Sequence, residues 1–340
     1  MTRRWKNRPE GSTWGDFGPD DQVGRINLIT EERRRVAAAE IRAGRCFCLS
    51  LPLDLPGGAK LNPNRKPPVR NVSPRKQGLP SVNYPLRMEN ERFIDASCDD
   101  SVTIFTQYST QWDALSHVGQ HFDADGDGTA EIVYYNGYRG GEDVVGPDAD
   151  GGVRARALGI EKLAETGVQG RGVLIDLERA YGRDRRAVTY DDLMAAMDAQ
   201  GVVVEEGDMV CLHTGFAQVV VDMKGDPDPD VLHNTCAVLD GRDDRLLQWI
   251  AESGLSVLIA DNYAVEAVPS SPVEGAGCYA ALPLHQQCLF RLGVHLGELW
   301  YLTELARWLG ENGRSRFFLT APPLRLPGSF GSPLTPIATV

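Results

Sequence analysis

The sequence predicts an α/β fold, and two patterns carry that prediction. Apolar runs of the fully buried strand type recur through the second half of the chain, in "RGVLIDL", "DMVCLHTGF" and "LSVLIADN". Helical patterns separate them, in "TYDDLMAAMDAQG" and "RDDRLLQWIAESG". Strands alternating with helices imply a sheet with helices packed against it. The composition agrees: of 340 residues, 42% are hydrophobic and 24% charged, which suits a globular protein with a real core.

Residues 1–30 are polar and rich in Gly and Pro. "TEERRRVAAAEIRAG" then reads as a helix, with Thr30 as its cap, Glu31 and Glu32 in its first turn and Gly44 as its stop. "RCFCLSLPLD" reads as a strand. Residues 55–90 form a long loop with six basic residues from Lys60 to Lys76. Long loops in compact domains are often functional, and this one is expected to be a flap over an active site. "SVTIFTQYSTQWDALSH" begins as a β-rich run. Thr189 caps "TYDDLMAAMDAQG" and Gly201 stops it. "QQCLFRLGVHLGELWYLTELARWLG" is part strand and part helix, and "SRFFLTAPPLRLPGSFGSP" closes the chain as a strand and a loop.

The net charge of −12 argues against non-specific binding to nucleic acid or to an anionic membrane, since both need a basic face. No window approaches the about 18 consecutive apolar residues of a membrane span. The arginines at the N-terminus are followed by no apolar run, so no secretory signal is read there. Seven scattered cysteines without a CxxC pair read as reduced thiols, and a cytoplasmic location is expected. There is no GxSxG elbow and no phosphate loop.

Chemistry concentrates in "QYSTQWDALSH", residues 107–117. In an extended chain Gln107, Gln111 and Asp113 point to one face. A helix starting near Asp113 would add His117, four residues on. Downstream, "LPLHQQCLFRLGVHLGELWYLTEL" offers His285, His295 and Glu298, a set suited to a divalent metal, with His295 and Glu298 able to share a helix face. Asp123, Asp125, Asp127 and Gly128 fit the opening half of a calcium loop, but Tyr134 stands where its closing acid belongs, and Glu131 comes early. His213, Asp261 and Asn262 follow buried strands, where α/β sheets often bind ligands. A solvated acidic turn and satisfied core polar residues remain the alternatives for these last two groups.

These pieces resemble the cyclase family that includes kynurenine formamidases and isatin hydrolases. "WGDFGPDDQVGRINLIT" is similar to the N-terminal segment of its longer members, "TQWDALSHVG" to its central motif and "LPLHQQCLFRLGVHLGELWYLTEL" to its C-terminal motif. The central motif of the family runs H-x-G-T-H-x-D-x-P-x-H, and Asp113, His117, His285 and Glu298 match metal-binding or acid/base positions. Gln107 and Gln111 stand in place of the two metal histidines, Ser109 in place of the glycine and Leu115 in place of the proline.

The resemblance implies a single α/β domain over 1–340 with a swivelling β/β/α core, an N-terminal extension over 1–45 and a dimer or larger homo-oligomer. It implies a hydrolase of a small cyclic or aromatic amide, formamide or lactone. One divalent ion (Mn, Zn or Mg) at Asp113, His285 and Glu298 would activate water, and His117 would be general acid/base. Gln107 and Gln111 would donate hydrogen bonds to the oxyanion. His121 is a substitute for a lost ligand only if its loop reaches the site.

A metal-free variant has Asp113 orienting His117, and serves hydrolysis, cyclisation or dehydration. A non-catalytic small-molecule binder derived from the family is the third reading. Tyr108, Trp112, Tyr134 and Tyr135 either face a flat substrate or belong to the core, and the basic flap is suited to a carboxylate.

Overall fold

The computed structural model describes residues 4–75, 78–275 and 277–340. Its centre is a mixed nine-stranded sheet. The strands, in chain order, are β1 (Cys46–Cys48), β2 (Gln111–Asp113), β3 (Gln169–Asp176), β4 (Met209–His213), β5 (Val257–Ala260), β6 (His295–Glu298), β7 (Arg316–Thr320), β8 (Gly331–Pro333) and β9 (Ile337–Thr339). They lie in the order β1-β9-β7-β3-β4-β5-β6-β2-β8. The four central strands β3 to β6 run parallel, and β2 pairs antiparallel with β6 and β8.

The apolar runs become the parallel strands because both sheet faces are covered. Val173, Ile175, Val210 and Leu212 enter one core, and Leu174, Met209 and Cys211 the other. The helices Tyr190–Gln200 and Asp244–Glu252 bring Leu193, Ala196, Leu246 and Ile250 to the first core. The helix Thr303–Glu311 brings Leu305 and Leu309 to the second.

Local signals act where they stand. Thr189 and Asp192 form a reciprocal capping box, and Gly201 closes that helix in the left-handed region at φ 63°. Thr30 caps the helix Glu31–Ala38 by accepting from Arg33 N. That helix ends six residues before Gly44, correcting the expected stop. The strand expected over "RCFCLSLPLD" is only the three residues that find a ladder partner in β9.

The N-terminal residues pack onto the body of the protein. Trp14 is fully buried, and its Nε1 donates to Phe290 O at 2.7 Å. Gly24 and Gly293 cross so closely that a Cβ on either would strike the other's backbone, which requires glycine at both. The expected flap divides into two parts. Residues near 57–65 pack against Gln107, Tyr108 and Tyr263, while Val69–Val72 pairs with Asp100–Thr103 as a ribbon in which every residue is exposed. All seven cysteines are free thiols. No helix among the described residues is long and apolar enough to cross a membrane.

Candidate metal and active site

Segments far apart in sequence meet beside β2 and β6. Gln111 and Asp113 alternate on β2 and so share one face, and Glu298 is paired with Gln111 across the β2–β6 ladder. His285 comes from the first turn of the helical stretch that starts at Pro283. Its Nε2 lies 3.3 Å from Glu298 Oε1 and 3.9 Å from Asp113 Oδ2. Asp113, His285 and Glu298 each present a ligand atom within 4.8 Å of the others, and all three are buried.

His117 joins by a turn and not by the expected helix. The chain leaves β2 at Asp113 and folds back, which sets His117 Nε2 3.9 Å from Asp113 Oδ1. Gln107 also arrives by another route than the expected strand. The backbone at 104–110 is irregular, and Gln107 Nε2 lies 3.1 Å from His117 Nδ1.

The glutamines do not have the role expected of them. Gln107 Nε2 is engaged by His117 and Phe330 O, and Gln111 Nε2 donates to Glu298 Oε2 at 3.1 Å and towards Asp113 Oδ1 at 3.5 Å. Neither amide keeps an N–H free for an oxyanion. Two acceptors are left over instead: Asp113 Oδ2 and Gln111 Oε1 are buried without a partner. Buried acceptors without partners are costly, and two of them beside an imidazole and a second carboxylate make a donor set that fits a divalent cation.

The sequence reading missed Glu266. This fully buried carboxylate accepts from Leu284 N and His285 N, closing the helix start, and its Oε1 lies 2.8 Å from His285 Nδ1. Nδ1 is thereby held as the protonated nitrogen, and Nε2 is turned towards Asp113 and Glu298, the arrangement in which histidine ligates metals.

The electrostatics follow from burial and crowding. Burial, then the nearby Glu298 charge, raises the Asp113 carboxyl to about 8. Burial disfavours charge on His285, but hydrogen bonds to Glu266 and Glu298 outweigh it and carry the imidazole up to about 10. Burial also works against ionised Glu298, yet the bond from His285 keeps its carboxyl below the usual range. Burial, then the charge of His285, pushes His117 down to about 4, so it is neutral at pH 7.

The segment near residues 57–65 is held to Gln107, Tyr108 and Tyr263. Tyr108 Oη accepts from Gly57 N and donates to Gly58 O, and Asn62 Nδ2 donates to Tyr263 Oη. Arg65 Nη1 donates to Gln107 O at 2.7 Å, and among the described residues the Arg65 guanidinium makes no ion pair. A narrow cleft here is lined by Asn62, Arg65, Gln107, Tyr108 and Tyr263. Of the six basic flap residues, Arg65 is the one that lines this cleft, and Lys76 lies outside the described residues. A wider surface depression lies elsewhere, and its arginines, Arg33 and Arg171, are already paired with carboxylates.

Other candidates fall away from the site. His295 is on a strand, so it does not share a helix face with Glu298; its Nδ1 lies 2.9 Å from Asp113 O. His121 is exposed on the short strand Gln120–Phe122, not in a loop, and is not part of the buried cluster. Trp112 packs edge-on against Trp300, and Tyr135 is fully buried, so of the four aromatic candidates only Tyr108 lines the cleft. Asp123, Asp125 and Asp127 cluster within 4.8 Å, but each accepts backbone N–H groups of its own turn. His213 is satisfied by Asp176 at 2.8 Å and Thr303 at 3.3 Å, and Asp261 by Thr214 and Gly215, the marks of a structural network.

Comparison with known proteins bears on family and fold. A family model described as a cyclase matches residues 48–267. A crystal structure described as a novel cyclase is 34% identical, with a TM-score of 0.75, and the match covers 97% of each chain. Isatin hydrolase A from Labrenzia aggregata, solved with benzyl benzoate, is 15% identical with a TM-score of 0.54 over 87% of this chain and 93% of its own. The isatin hydrolase A of Ralstonia solanacearum gives the same identity and TM-score over 89% and 95%. At that identity the likeness is one of fold. No curated protein matches the sequence. The family match over most of the chain, with the α/β architecture it shares with solved cyclases, establishes that this protein belongs to the cyclase family.

Proposed function

We propose that the protein is a metal-dependent hydrolase that opens a C–N or C–O bond of a small cyclic or aromatic amide, formamide or lactone. One observation carries this reading: Asp113, His285 and Glu298 converge in a buried cluster beside two unpartnered acceptors, Asp113 Oδ2 and Gln111 Oε1. The hydrolase members of the same fold support it. A divalent ion held by these three residues would supply Lewis acidity at a carbonyl and an acidified water. The chain supplies the rest. Glu266 orients His285, the flap excludes water, Tyr108 and Tyr263 flank a flat substrate, and His117 faces the reacting group through Nε2.

The second reading, metal-free acid/base chemistry, is favoured by one observation. A protonated His285 sits among Asp113, Glu266 and Glu298, so a proton can stand where a cation would. Metal analysis of the purified protein and of Asp113→Ala and Glu298→Ala separates the two. Near-stoichiometric Mn, Zn or Mg that is lost in both variants is the expected result. Full activity without bound metal, unaffected by chelator, would overturn the metal-dependent reading.

A further inference from the structure

The Gln107 amide determines which ring nitrogen of His117 carries the proton. Gln107 Nε2 lies 3.2 Å from Phe330 O and 3.1 Å from His117 Nδ1. A backbone carbonyl can only accept, so the amide must show its NH2 group to Phe330. Turned over, it would set oxygen against oxygen at Phe330, whereas the Thr106 hydroxyl, 3.1 Å from Gln107 Oε1, can donate or accept and so suits either orientation. The NH2 group fixed by Phe330 is the one that meets His117, so Nδ1 must accept. Arg65 holds the backbone of the same residue, donating to Gln107 O.

We infer that Gln107 is a positioning residue that locks His117 in the neutral tautomer with its proton on Nε2. His117 then acts on the substrate as a hydrogen-bond donor, not as a base that removes a proton. A base acting through Nε2 would need its proton on Nδ1, and at Nδ1 this site offers a donor and no acceptor. The 3.9 Å gap from Nε2 to Asp113 Oδ1 is too long for a hydrogen bond, so the Nε2 proton is left for a ligand. A donor fixed in advance beside the ligand cluster costs no reorganisation when charge develops on a substrate oxygen. The catalytic part of this inference rests on the hydrolase reading of the same site; the tautomer does not.

The test is a long-range proton–nitrogen NMR correlation on the purified protein with ¹⁵N-labelled histidine at neutral pH. The His117 signals are assigned by their loss in His117→Gln. The expected result is a proton on Nε2 alone, moving to Nδ1 in Gln107→Glu, whose carboxylate accepts. If Gln107→Glu fails to fold, Gln107→Met serves, and there the preference for Nε2 should be lost. A wild-type proton on Nδ1, or on both nitrogens, overturns the inference, and this needs no substrate. For a hydrolysed substrate, His117→Gln keeps a donor and should retain activity within about tenfold, while His117→Ala should lose about 100- to 1,000-fold. Equal losses in the two variants overturn the donor role.

Discussion

Glu266 is the residue on which His285 depends. It fixes both the helix start and the imidazole, so Glu266→Gln keeps the shape and removes the charge that holds the Nδ1 proton. Partners behind metal ligands typically contribute 10–100-fold, and a loss of about that size in metal affinity is expected by calorimetry. If the cluster holds a metal, as proposed, its ligands must also shed protons. With Asp113 raised to about 8 and His285 to about 10, both are protonated at pH 7, and a cation has to displace those protons. Affinity should therefore rise between pH 6 and pH 8, with proton release visible as a buffer-dependent binding enthalpy. A pH-independent affinity would contradict this. Arg65, which among the described residues makes no ion pair, should favour a substrate that bears a carboxylate. Arg65→Met is expected to raise KM for the acid form about 10- to 100-fold and leave the amide form unchanged, the size of a lost charge-assisted hydrogen bond. Asp113, His117, His285 and Glu298 are legible in sequence because they fall on matching positions of the segments that resemble the cyclase family's motifs. Glu266 is not, since nothing in "YAVEAVP" distinguishes it. Nor is the state of His117, which depends on a carbonyl more than two hundred residues away.

At the scale of elements, the weakest part is the ribbon of Val69–Val72 with Asp100–Thr103. Both strands are exposed along their whole length, and a two-stranded ribbon alone is marginal in water. Between them lie Met88 at 63% and Ile94 at 97% exposure, so this arm has little core of its own. It should open at the lowest free energy in the molecule. Limited trypsin digestion is expected to cut first near Arg87 or Arg92, leaving the nine-stranded sheet intact by mass spectrometry. A first cut between residues 169 and 213 would refute this. The helix beginning at Tyr190 shows the opposite case, where cap and stop could both be read from the sequence because their partners are three or four residues away. The stretch at 104–110 could not be read so. Its alternation looks like a strand, but only Gln111–Asp113 find neighbours, in β6 and β8, and those neighbours lie near the C-terminus.

For the molecule as a whole, stability against pH is tied to the network at the ends of β3 and β4. Burial opposes charge on His213, but the hydrogen bond with Asp176 and the charges of Asp261, Asp176 and Glu178 outweigh it and raise its pKa. Burial likewise opposes ionised Asp176, and His213 lowers that pKa nonetheless. A raised histidine stabilises fully below its ordinary value of 6.5 and less as pH climbs through the folded value. A depressed aspartate stabilises fully above 3.8 and less as pH falls through its folded value. His213→Asn should therefore cost about 2 kcal/mol near pH 5 to 6, by urea unfolding, and less above neutrality. A deficit that grew towards pH 9 would show the pair to be unimportant. The parallel centre of the sheet was legible because its strands are continuously apolar; its antiparallel flanks were not, because their strands are short and distant in sequence. That distance has a temporal consequence. Phe330 O holds Gln107, β8 completes the pairing of β2, and β9 joins β1 to β7, so residues 330–339 finish both the site and the sheet. On the ribosome, where the chain emerges N-terminus first, Gln107 and β2 wait without these partners until residues 330–339 have emerged.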